Sequence, residues 1–263
     1  MRPPLCSFVL LAMASAVTQA AIVNIDFSAG AVPVGQTGQA AAPDPEGSAA
    51  YWNSVSRDGT KDKVEAVPLL DSAGNSSALT LSLGVHGSYD SQLGGDQEIG
   101  GGAYGGMMSD YVFLDAGGPG LVTTLDGAVS GLVADNYYDI YFYGQGDKFT
   151  GNIYRGQNTL FTVDGVSKQT RWDGVQGGNG LLEEGIEYVK FTVKADSTGK
   201  IHFSWSNVVG GVGGNVPVDL DGYSTRYAAF NGMQIAHNPD AVPETSAAML
   251  GILGMLGLLR RRK

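Results

Sequence analysis

The chain has 263 residues, 40 of them Gly and one Cys, and a formal net charge of −10 at pH 7. With Arg2, Glu244 and the four C-terminal cations set aside, 11 Lys+Arg face 25 Asp+Glu, a surplus of negative charge that repels phosphate backbones and excludes nucleic acid as a partner. The lone Cys6 lies in the N-terminal apolar run, so the mature chain holds neither a disulfide nor a thiol nucleophile.

At the N-terminus, Arg2 supplies a positive region, Leu5–Val17 an apolar one and Thr18-Gln19-Ala20 a small-residue cleavage site. This order reads as a helical secretory signal peptide over residues 1–20, removed after Ala20. Residues 21–238 are long enough to bury one core and read as one domain.

That domain is patterned in twos. Val23, Ile25 and Phe27 open it, and Leu79, Leu81, Leu83 and Val85 then alternate with Thr80, Ser82 and Gly84. Strands are predicted over Tyr111–Leu114, Leu121–Val129, Tyr137–Tyr143, Thr159–Val163 and Val166–Trp172. Val189, Phe191 and Val193 form an inward face opposite Glu187 and Lys190; Ile201, Phe203 and Trp205 alternate with outward His202 and Ser204; Ala228–Ala236 closes the series. Period 2 marks half-buried antiparallel strands. About ten strands exceed what one open sheet with a solvated face carries, so the predicted fold is all-β, an antiparallel β-sandwich of jelly-roll type. Asp164-Gly165 and Asp196-Ser197-Thr198-Gly199 predict hairpins between their flanking strands. The Gly-rich stretches 30–50, 86–109 and 206–225 are the long loops on which binding is expected.

Chemistry-bearing motifs are sparse. Gly100-Gly101-Gly102-Ala103-Tyr104-Gly105 fits a dinucleotide fingerprint in letters only, because no strand and helix flank it. His86, His202 and His237 are too scattered for a zinc site, and no serine elbow is present. Glu183-Glu184 precedes Gly185 and reads as a solvated turn pair before it reads as a glycosidase dyad. Asn215, Asp219 and Asp221 alternate in a Gly-rich loop and are the candidate ligands for a calcium ion; Asp90, Asp96 and Glu98 are a weaker set. For sugar stacking, the candidate rings are Trp52, Trp172 and Tyr141, whereas Trp205 falls on the core side of its strand.

Residues 239–245 form a linker that ends in a short motif, Val242-Pro243-Glu244, before Thr245. An uncharged run, 246–259, follows, and then Arg260, Arg261, Arg262 and Lys263. As a helix the run reaches about 21 Å, short of a hydrocarbon core of roughly 30 Å. Bilayer thinning and snorkelling of the terminal cations make up the difference, with those cations on the cytoplasmic side. The tail resembles a PEP-CTERM sorting signal, with Thr245 where that family usually has a second proline. The resemblance implies export, a membrane helix over 246–259, processing by an exosortase-type enzyme, and a destination at the cell surface or in the extracellular matrix.

The segments AIVNIDF, SGLVADNYYDIYFYG and AAFNGMQI, with the strand order, resemble galactose-binding-like jelly rolls. That resemblance implies an exopolysaccharide or other glycan as ligand. The expected function is therefore a non-catalytic, exported surface protein that binds polysaccharide. The alternatives are a structural surface protein without a specific ligand and a glycan-active enzyme.

Overall fold

The structure, a computed structural model, describes residues 22–27, 41–42, 50–57, 59, 62–90, 105–108, 110–118, 120–146, 157–171, 181–209 and 223–241. In chain order the strands are β1 (Val23–Phe27), β2 (Trp52–Val55), β3 (Lys63–Leu70), β4 (Ser76–Gly84), β5 (Gly87–Asp90), β6 (Asp110–Asp115), β7 (Thr124–Ser130), β8 (Tyr137–Tyr143), β9 (Thr159–Val163), β10 (Val166–Gln169), β11 (Tyr188–Lys194), β12 (Lys200–Asn207), β13 (Tyr227–Phe230) and β14 (Gly232–His237). Two four-residue helical turns, α1 (Gly105–Met108) and α2 (Tyr223–Arg226), precede β6 and β13.

The strands form a five-stranded sheet, β11-β8-β14-β1-β2, a six-stranded sheet, β10-β9-β12-β7-β4-β3, and a three-stranded sheet, β13-β6-β5. Pairing is antiparallel throughout except for β1 and β2, which run parallel. The two larger sheets face each other across one apolar core: Phe142 of β8 stacks on Phe161 of β9 at 4.8 Å and lies 4.9 Å from Phe203 of β12. The three-stranded sheet adds Val112, Leu114 and Phe230 to the same core. The protein is thus an all-β sandwich, as its period-2 pattern predicts. The chain changes sheet between β2 and β3, β4 and β5, β6 and β7, β7 and β8, β8 and β9, β10 and β11, β11 and β12, β12 and β13, and β13 and β14. Eight strands consequently fall into two facing blocks, β11-β8-β14-β1 and β10-β9-β12-β7.

Both long edges of the sandwich are stitched. On one side Lys168 Nζ of β10 donates to the Lys190 carbonyl of β11. On the other, the Asn53 amide of β2 donates from Nδ2 to the Leu70 carbonyl of β3 and accepts the Leu70 N–H at Oδ1, both at 2.8 Å. Edges closed this way present fewer unpaired backbone groups to a second chain.

Several expectations are corrected. The Asp164-Gly165 hairpin forms, with both residues at positive φ, 49° and 76°. Asp196–Gly199 also turns the chain, but β11 and β12 belong to different sheets, so it is a corner between layers and not a hairpin. The single strand predicted over Ala228–Ala236 is two, in different sheets, broken at buried Asn231. Asn231 Oδ1 accepts the Gln145 N–H at 2.7 Å and its Nδ2 donates to the Asp110 carbonyl, and these tertiary bonds fix the break. Glu187, expected to face outward, is only 1 % exposed; its Oε2 accepts the Glu183 N–H at 2.9 Å and closes the turn before β11. Strands β2, β3 and β5 were not predicted. β3 carries Pro68 and a register shift next to Ala66 at φ 44°, features an edge strand tolerates.

Candidate ligand-binding face

The five-stranded sheet has no open outer face in its centre. On β8, Tyr138, Ile140 and Phe142 point into the main core, which sends Tyr141 and Tyr143 outward. A second apolar layer, including Ile22, Ala42, Met107, Met108 and Tyr111, covers them. The Ala41 N–H donates to Tyr143 Oη at 2.9 Å, the Ala42 N–H donates to Gln234 Oε1 at 3.0 Å, and Gln234 Nε2 donates to Asn24 Oδ1 at 2.8 Å. Tyr143, Gln234 and Asn24 on this face are thus hydrogen-bonded to one another's strands or to chain lying over them.

This placement corrects Tyr141 as an expected stacking residue. Tyr141 is 5 % exposed, with Tyr188 at 6.0 Å and Lys190 Nζ at 5.3 Å from its ring, so it offers no open face to a sugar. Trp52 is half-buried on β2 and packs against the same second layer. Alternation identifies a strand's outer face; it does not reveal what another segment lays on it. Trp172, Asn215, Asp219, Asp221, Val242, Pro243, Glu244, Arg260, Arg261, Arg262 and Lys263 lie outside the described residues, as do residues 1–20 and the run 246–259. Among the described residues, no group of three or more His, Cys, Asp or Glu can hold a metal, and no helix is long and apolar enough to cross a membrane.

The six-stranded sheet differs. Leu81, Leu83, Val129, Phe161, Ile201, Phe203 and Trp205 are buried inward, and the residues between them face outward. Across β3, β4, β7 and β12 these outward residues line a groove of about 300 Å³. Its floor is low because Gly84 and Ala128 have little or no side chain, and Ser82 lies beside them. One wall is the Lys63–Glu65 pair of β3, with Nζ and Oε1 2.8 Å apart. The other is formed by Asp126 of β7 and His202 of β12, both exposed. Register extends the polar surface beyond the groove: Asp126 pairs with Ser204, Ser204 with Thr162, and Thr162 with Ser167. At about 4.8 Å per strand this row of four spans about 14 Å.

Sequence reasoning placed His202 and Ser204 outward and did not single out Asp126, Ser82, Glu65 or Lys63 as a site. The signal available was the pair of small outward residues, Gly84 and Ala128, among polar ones on neighbouring strands.

The three-stranded sheet carries the other notable aromatic group, and its rings already have protein neighbours. Tyr89 lies 5.5 Å from Tyr111, Phe113 covers the Cβ position of Gly87 and meets Tyr227 edge-on at 5.9 Å, and the Arg226 guanidinium sits 4.9 Å from the Tyr227 ring. Arg226 also donates from Nε and Nη2 to the two carboxylate oxygens of Asp115, both at 2.6 Å. This fork, helped by the Gly117 N–H, holds the Asp115 carboxyl below the usual carboxylate range despite partial burial. The folded pKa is depressed, so the pair's contribution is complete above the unfolded value of about 3.9 and is lost as pH falls below it. Urea unfolding should therefore show Asp115→Asn less stable than wild type at pH 7, with the gap narrowing toward pH 3. A gap that stays constant between those pH values would refute the assignment.

Comparison with known proteins gives distant likenesses only. Over 61 % of this chain and 83 % of the other, the fold is similar to TmCBM61, whose structure was determined in complex with β-1,4-galactotriose, at 9 % identity and a TM-score of 0.29. Over 50 % of this chain and 32 % of the other, it is similar to the plant receptor-like kinase ANX2, at 13 % identity and a TM-score of 0.27. No family model and no curated protein matches the chain.

Proposed function

We propose that the chain is an exported PEP-CTERM-type protein of the cell surface or extracellular matrix. Its non-catalytic body binds polysaccharide along the outer face of the six-stranded sheet. The ligand reading rests on one observation: of the two large sheets, one is covered by a second apolar layer, and the other bears an open groove edged by polar and charged side chains. A hydroxyl-rich oligomer suits such a surface, because side-chain hydroxyls, carboxylate and imidazole can exchange hydrogen bonds with it in water. The two facing blocks of four strands have jelly-roll wiring, and we assign the body to that type.

The address rests on the two termini. The leader through Ala20 starts export. The helix 246–259, with Arg260–Lys263 on the cytoplasmic side, holds the body outside until an exosortase-type enzyme acts at Val242-Pro243-Glu244.

Ala128→Phe tests the ligand reading by placing a ring on the groove floor from a half-exposed position. In affinity electrophoresis through polysaccharide-containing gels, wild type should be retarded and Ala128→Phe should bind about tenfold more weakly, roughly 1.4 kcal/mol. Equal retardation of the two would place the ligand elsewhere. If no polysaccharide retards wild type, a structural surface protein becomes the better reading.

A further inference from the structure

The charges around the groove do not cancel. On the β3 wall Lys63 and Glu65 neutralise each other at 2.8 Å. On the opposite wall Asp126 has no ion-pair partner among the described residues, and it stands at the junction of the groove with the Ser204–Thr162–Ser167 row. The floor, built on Gly84 and Ala128, provides no aromatic ring on which the flat side of a sugar could stack. Recognition here must come from charge and hydrogen bonds. The chain carries a net −10, so a cationic oligomer is drawn to it over long range and an anionic one is repelled.

We propose that the groove takes a polysaccharide bearing free amines, an amino-sugar polymer with unacetylated residues. This rests on the polysaccharide reading above and narrows it. Asp126 receives an ammonium group of the ligand, while Ser82, His202 and Ser204 exchange hydrogen bonds with the flanking hydroxyls. The row spanning about 14 Å favours an extended oligomer over a monosaccharide. Lys63 does not repel the ligand's charge, because Glu65 compensates it.

The test uses the full-length protein in detergent and three probes: an oligomer of glucosamine with free amines, the same oligomer fully N-acetylated, and dextran. By calorimetry, the free-amine oligomer should bind about tenfold more tightly than the N-acetylated one, and the difference should shrink as salt is raised from roughly 50 to 300 mM. Asp126→Asn should remove that preference without moving the melting temperature, since Asp126 is exposed. Asp240→Asn makes the same charge change at an exposed position after β14 of the opposite sheet and should keep the preference. If Asp240→Asn weakens binding as much as Asp126→Asn does, the attraction is diffuse and the site assignment is overturned. If all three probes bind wild type equally and Ala128→Phe still blocks them, the groove reading survives and the amine assignment fails. If wild type binds none of them, both fail.

Discussion

Phe230→Ala should destabilise the protein by about 3–5 kcal/mol, the range for removing a fully enclosed aromatic side chain. Phe230 lies on β13 of the three-stranded sheet, yet its ring sits between the two larger sheets. Its centroid is 4.7 Å from Phe27, 4.9 Å from Phe161, 5.5 Å from Trp205 and 5.7 Å from Phe142. Those four rings come from strands of both facing sheets, and each strand is held in place by its backbone ladder. The surrounding side chains can therefore close only part of the space left behind, and the cavity adds to the lost transfer energy. A domain of ordinary stability has about 5–15 kcal/mol to lose. Chemical unfolding should accordingly show a much lower midpoint with an unchanged slope. Tyr227→Ala, three residues earlier on the same strand but half-exposed, should cost far less. Equal losses for the two variants would mean that Phe230 does not join the three sheets as described.

How much of this was legible in the sequence depended on whether a strand has two unlike faces. β8 and β9 were predicted to the residue because Tyr138, Ile140 and Phe142, or Phe161 and Val163, alternate with residues of a different environment. The segment from Ala228 to Ile235 is buried at every position, so no period appears in it, and the break at Asn231 depends on Gln145 and Asp110, far away in the chain. Glu187 looked solvated because it is charged, but its carboxylate folds back on the turn that precedes its own strand.

The site followed a similar division. His202, Ser204 and Ser82 could each be placed outward by parity alone. A groove, however, is a relation among β3, β4, β7 and β12, and the order β12-β7-β4-β3 is not the order of the chain. For Tyr141 the same parity argument gave the right face and the wrong environment. Tyr188 and Lys190 of β11 lie against its ring, and the apolar cluster it joins draws on Ala42, Met107 and Met108, on segments that no local pattern connects to β8.

Asn53→Leu should destabilise by about 2–4 kcal/mol, although it replaces a polar residue near the core with an apolar one of similar size. The Asn53 side chain works as an additional peptide group between sheets: it serves the Leu70 N–H and C=O and also donates to the Asn24 carbonyl at 2.8 Å. Leucine leaves those three backbone groups unpaired, and Asn24 is fully buried, so the desolvation penalty dominates any gain from apolar burial. Asn53→Asp separates the hydrogen-bond explanation from a steric one. The aspartate can still accept the Leu70 N–H, but its ionised second oxygen faces the carbonyls of Leu70 and Asn24. The charged form is disfavoured in the folded state and the folded pKa lies above the unfolded value of about 3.9. A raised carboxyl pKa gives stability that is present below the unfolded value and lost as pH rises through the folded one. Relative to wild type at the same pH, Asn53→Asp should therefore be weak at pH 7 and recover toward pH 4, whereas Asn53→Leu should show the same deficit at both. Urea midpoints for the three proteins at those two pH values decide the matter, and parallel behaviour of the two variants would show that the amide is not what ties β2 to β3.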